Sequence, residues 1–182
     1  MFAYCCPSLR RGSRIAFIVG LLAVSSSTVW AQSDQLEALY NRGVDLQRAG
    51  RYQEAIQHYE AALQMLVKQP GHRATERLCS NLADLYNSDG RDAEAAQLYE
   101  VVLQIQRKLY GDKSEATCRT LFSMSIAYID LQQYDKADVA NRARYEALAA
   151  MRGADSLEAA AALQWYGTTQ SMLHGRDRGI EV

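Results

Sequence analysis

The histidines set the first limit on the chemistry open to this chain. His58, His72 and His174 stand in three distant segments, without the spacing that brings two imidazoles onto one helix face for a metal. No glycine-rich turn follows a strand pattern, so no phosphate-cradling loop is expected. Glu54, Glu60, Glu94 and Glu100 fall on helical patterns and read as surface charges, not as paired general acids and bases. The serines and cysteines have no neighbouring base in the sequence. Cys5 and Cys6 lie near the N-terminus, Cys79 and Cys118 further on. The later two can pair in an oxidising compartment or serve as small buried hydrophobes. The expectation is a protein that is not an enzyme, with no catalytic group, no metal site and no cofactor. Recognition by surfaces remains.

The chain has 182 residues, 48% hydrophobic and 23% charged, with a formal charge of -1. That balance fits a folded domain and gives no basic footprint for nucleic acid. The charges are uneven. Arg10, Arg11 and Arg14 precede an apolar run from Ile15 to Val24, followed by a serine-rich stretch and Val29-Trp30-Ala31-Gln32. This layout reads as a signal peptide over residues 1–31, cleaved after Ala31. The apolar run is short of the roughly 20 residues that span a bilayer, although an uncleaved anchor is the alternative. The expected location is secreted or periplasmic, with no integral membrane span after cleavage. Three of the 20 basic residues leave with the signal and none of the 21 acidic ones, so the remainder carries about -4, unsuited to polyanions or anionic lipid.

Glycines mark a repeat. Gly50 and Gly90 are each followed by arginine, and Gly71, Gly111 and Gly153 form a second series. Helix-sized segments lie between them. Ala55, Ile56, Tyr59, Ala62, Leu63 and Leu66 recur at helical spacing, as do Ala95, Leu98, Tyr99, Val102 and Leu103. Nothing alternates with period two. Seven helices are expected at about 35–48, 52–68, 74–88, 92–109, 115–131, 134–151 and 156–173, paired as hairpins with the last unpaired. Asp34 and Glu37 have the spacing of a capping box, and residues 176–182 read as a short flexible tail.

The paired-helix unit resembles the tetratricopeptide repeat. Three units carry its pattern: Leu39, Gly43, Leu46, Ala55 and Tyr59; then Cys79, Ala83, Tyr86, Ala95 and Tyr99; then Leu121, Ser125, Tyr128 and Ala137. A half unit offers Leu163, Tyr166-Gly167 and Gln170. The small residues Gly43, Ala83, Ser125 and Gly167 would let paired helices approach closely. The period of 40 to 42 residues and the phrase Leu103 to Gly111 resemble the longer repeats of the kinesin-light-chain-like subset. Asn141 and Arg144 depart from the pattern, standing where an aromatic and a small residue are usual. The resemblance implies an all-α fold over residues 32–175: a right-handed superhelical solenoid of antiparallel helix pairs, about 3.5 units long.

It also implies a concave groove lined by the first helix of each pair, open to a protein or peptide partner. Phe122, Ile126 and Ile129 form a second apolar stripe beside Leu121, Met124 and Tyr128. That stripe is either core or an exposed binding patch. Tyr40 and Val44 take similar places in the first unit, which points to a mainly apolar groove. Some relatives clamp a C-terminal carboxylate with lysines and asparagines. Asn81 and Arg119 match two clamp places, but Tyr40, Val44 and Ser123 do not, so that ligand is not expected. The candidate groove is therefore Tyr40, Val44, Asn81, Arg119, Phe122, Ile126 and Ile129. The unpaired helix 156–173 opens a second possibility, self-association by stacking on another copy. Ser156, Glu158, Gln164, Thr168 and Ser171 on it, with Arg176 just beyond, favour a sealing role instead.

Overall fold

A computed structural model describes residues 33–66 and 72–179. Seven helices and no strand occur among the described residues: α1 (33–48), α2 (Tyr52–Leu66), α3 (His72–Ser88), α4 (Asp92–Tyr110), α5 (Glu115–Asp130), α6 (Tyr134–Arg152) and α7 (Leu157–Gly179). They stack as three antiparallel hairpins plus one unpaired helix, the all-α solenoid expected from the repeat. The proposed signal segment, Pro70 and Gly71 lie outside the described residues.

Each helix buries one stripe. In α2 the buried residues are Ala55, Ile56, Tyr59, Ala62 and Leu66, spaced to fall on one side of a 3.6-residue helix. The hairpin turns follow from backbone chemistry. After α1 and α3 the chain reverses through Gly50 at φ 74° and Gly90 at φ 77°, where a side chain would strain the backbone. The next N–H closes each turn, Arg51 to the Leu46 carbonyl at 2.9 Å and Arg91 to that of Tyr86 at 2.8 Å. The third such turn has no glycine. Gln132 takes its place at φ 57°, and the Gln133 N–H closes onto the Tyr128 carbonyl at 2.8 Å.

Two ends differ from the sequence reading. Residue 33 is already helical, so Asp34 lies within the helix rather than capping it. At the other end α7 continues past 173 to Gly179; Gly175 weakens a helix without ending it. Residues 176–179, expected in a tail, are helical.

One core runs through units one to three, with Tyr59 and Ala83 at 0% exposure and Leu82 at 1%. A smaller cluster of Cys118, Ala147, Leu148, Ala159 and Ala162 joins α5, α6 and α7. Both described cysteines are buried free thiols, so the disulfide is not formed. Cys118 packs toward α6 and α7, and burial pushes the Cys79 thiol up to about 11.

Hydrogen bonds recur at the unit junctions. The Tyr86 hydroxyl donates to Glu60 of the preceding unit at 2.6 Å, and Tyr128 donates to Glu100 in the same way. Arg91 stacks 3.8 Å over Tyr86 and pairs with Glu60 at 3.6 Å.

The third unit breaks the pattern where the sequence departs from it. Asn141, 42 residues after Tyr99, is fully buried and neither side-chain amide atom has a partner. An unpaired buried amide costs more than an apolar group of the same shape. Asn141→Leu is expected to stabilise the protein by about 1–2 kcal/mol, read as a higher denaturant midpoint at unchanged slope.

Candidate functional site

The first helices of the three units, α1, α3 and α5, share one face with a cleft of about 390 Å³. Its floor comes partly from α4. Tyr40, Glu76, Arg77, Asn81, Asp84, Arg119 and Ser123 line it, with Tyr99 and Gln106 beneath. The lining is polar, contrary to the apolar groove expected from the α5 stripe. Viewed along the repeat, the reason is plain. The positions matching Phe122 and Ile126 are Ser80 and Asp84 in the second unit, so the stripe of one helix does not continue to the next.

Internal hydrogen bonds fix most of these groups. The Asn81 amide donates to the hydroxyls of Tyr40 and Tyr59, both at 3.2 Å. Tyr59 in turn donates to Gln47 at 3.1 Å. The Tyr99 hydroxyl donates to Asp84 at 2.7 Å. Burial pushes the Asp84 carboxyl up, opposed by that hydrogen bond. Thr120 donates to the Gln106 amide oxygen and the Gln106 amide donates to Glu76, each at 2.8 Å. Both cleft carboxylates therefore accept from neutral donors.

The arginines are committed differently. Arg77 lies 4.7 Å over the Tyr40 ring. Arg119, 42 residues on and in matching register, makes no ion pair among the described residues and stands exposed at the cleft. Two guanidinium groups thus sit on adjacent first helices, beside carboxylates already hydrogen-bonded to the protein. Five donors on each suit carbonyl or carboxylate oxygens.

Of the groove residues expected from the sequence, Tyr40, Asn81 and Arg119 come together in this cleft. Val44 and Ile129 are half-buried and pack against the main core. Ile126 is half-buried as well. Phe122 is covered on two sides: it forms a T-shaped pair with Trp165 of α7, ring centroids 5.3 Å apart, and Arg144 of α6 lies 4.4 Å over its ring. The stripe is thus neither closed core nor open patch. Burial holds Arg144 below the usual arginine range. Sequence reading missed Arg77, Glu76 and Asp84. Arg77 was legible from the period, since it falls 42 residues before Arg119.

No group of three or more His, Cys, Asp or Glu among the described residues could hold a metal ion. No described helix is long and apolar enough to cross a membrane.

The tetratricopeptide repeat pattern matches residues 34–108 and 75–143. Among solved structures, the chain is similar to a putative kinesin light chain with nearly identical TPR-like repeats from Podosopora anserina. The identity is 19%, the TM-score 0.68, and the match covers 80% of this chain and 70% of that one. It is also similar to BtubC (BKLC) from P. vanneervenii, at 18% identity and TM-score 0.58, covering 82% of this chain and 66% of that one. The Sgt2 TPR domain from Aspergillus fumigatus matches at 21% identity and TM-score 0.53, covering 81% of this chain and 84% of that one. At these identities the structures establish the fold alone. No functionally curated protein matches the chain. Proteins with these repeats are generally interaction modules rather than enzymes. On the pattern shared by more than half its length, the chain belongs to the tetratricopeptide repeat family.

Proposed function

We propose that the chain is an adaptor, scaffold or assembly module that holds an extended or helical segment of a partner protein against α1, α3 and α5. The observation that carries this reading is the pair Arg77 and Arg119, one first helix apart in a single cleft whose carboxylates are already hydrogen-bonded. Oxygens of the partner segment meet the two guanidinium groups. Its apolar side chains lie toward the aromatic pair Phe122 and Trp165 of α5 and α7.

The test uses peptides selected from a random display library on the full chain. Arg77→Ala with Arg119→Ala is expected to weaken the selected peptides at least tenfold, because two charge-assisted contacts are lost. Both side chains are exposed, so the double variant is expected to keep its melting temperature. Equal binding to the double variant would move the site elsewhere.

Export is part of the same proposal. It rests on the basic, apolar and small-residue segments of residues 10–31. Mass spectrometry of protein recovered from outside the cytoplasm is expected to give a chain beginning at Gln32. An intact Met1 terminus there would favour the anchor.

A further inference from the structure

Two neighbouring polar side chains of the third unit carry buried hydrogen-bonding atoms that the described residues leave unmatched. Tyr59 and Tyr99 hold one register of the second helices, and Asn141 stands there in α6. Three residues on, the first two units bury Ala62 and Val102, each at 0% exposure, where α6 places Arg144. An amide and a guanidinium thus replace a phenol and an aliphatic side chain. Residues three apart lie side by side on a helix, about 5–6 Å between Cβ atoms.

The hydroxyls of Tyr59 and Tyr99 reach Gln47 and Asp84. Asn141 is 0% exposed, and neither its Nδ2 nor its Oδ1 atom has a partner among the described residues. Arg144 Nη1 is buried and lacks an acceptor there as well. Every other arginine of α4 and α6 has a carboxylate. Arg107 pairs with Asp112 at 2.7 Å, Arg142 with Glu146 at 2.9 Å and Arg152 with Glu158 at 2.9 Å. Buried donors and charges in folded proteins are matched in the great majority of cases. A cation and an amide on one helix face are matched by oxygens that carry negative charge. The Phe122 ring takes one face of the guanidinium, 4.4 Å away, and leaves its N–H edges to a ligand. A planar carboxylate suits such an edge.

We propose that Arg144 and Asn141 bind a small free carboxylate, of formate or acetate size, in the third unit. One oxygen accepts from Arg144 Nη1 and the other from Asn141 Nδ2. Asn141 is enclosed and Arg144 half-buried, so the site admits an ion of that size and not a polypeptide segment. It uses neither Arg77 nor Arg119 and stands whether or not the cleft of α1, α3 and α5 holds a partner.

The probe is sodium formate, compared with sodium chloride at equal ionic strength on the full chain. The melting temperature is expected to rise with the logarithm of formate concentration once the site fills. Arg144→Met keeps an apolar stem against Phe122 and removes the donors; Asn141→Leu removes the amide. Each is expected to weaken formate about tenfold or more, so the rise specific to formate is lost. The stability that Asn141→Leu gains in chloride is expected to narrow in formate. NMR reads the site without any variant: the side-chain amide signals of Asn141, assigned through its backbone in the wild-type chain, are expected to shift and saturate on titration with formate. Equal melting temperatures in the two salts, or Asn141 signals that do not move, overturn the proposal and leave these atoms to water. A rise specific to formate that persists in both variants also overturns it, by placing the ion elsewhere.

Discussion

Leucine in place of Gly43 is expected to destabilise the protein by about 2–3 kcal/mol, while leucine in place of Gly167 stabilises it by about 0.5–1 kcal/mol. Both glycines lie inside helices at the same register of the repeat. Each substitution recovers the helix propensity that glycine forfeits, roughly 0.8 kcal/mol. At Gly43 that gain is overwhelmed. The new Cβ would lie 2.4, 2.7 and 2.9 Å from three atoms of the Tyr59 ring, and that ring has no exposed side to retreat to. Either α1 moves away from α2 or the ring leaves its rotamer, and both open the first unit. At Gly167 no atom of the described residues lies within 4 Å of the added Cβ. Denaturant titration of the two variants checks the opposite signs. Destabilisation at both positions would mean that α7 is covered in solution.

The repeat was legible because its punctuation is chemical. Gly50 and Gly90 are required by left-handed backbone at the hairpin turns, so their spacing alone gave the length of the unit. The third turn shows where that signal ends. Gln132 adopts the same conformation without a glycine, and only the flanking helical patterns located it. Small residues gave the pairing of helices, and Gly43 and Ala83 do that work. Gly167 carries the same sequence signal with no described helix to receive it, because residue type records what a position can accept and not what covers it.

The proposed binding face was harder to read for a related reason. Phe122, Ile126 and Ile129 alternate with the core stripe at a spacing that suits either burial or exposure. Their environment is set by α6 and α7, through Arg144 and Trp165, which no periodicity within α5 reveals. Asn81 was picked out as a polar groove residue, yet its amide is held by two tyrosines from α1 and α2. Its first role is to tie units together. Arg119, which the sequence did single out, stands exposed at the proposed cleft, with Arg77 as its counterpart one unit earlier.

Tyr59→Ala carries the largest expected cost, about 3–5 kcal/mol, the range for removing a buried aromatic ring. The ring fills the space above Gly43, packs 5.8 Å from Tyr40, and is fully enclosed. Its hydroxyl joins three helices, donating to Gln47 of α1 and accepting from Asn81 of α3. Alanine removes the packing and these two hydrogen bonds together. Tyr59→Phe separates them: it keeps the ring and is expected to cost only about 1 kcal/mol, because Asn81 retains Tyr40 as a partner. The location of the damage is as informative as its size. In a solenoid each unit leans mainly on its neighbours, so Tyr59→Ala should release α1 and α2 before α3 to α7. Amide exchange is expected to accelerate across residues 33–66 while α5 and α6 remain protected. Uniform acceleration along the whole chain would show instead that the units fold as one block, with Tyr59 and Asn81 transmitting the loss through the first junction.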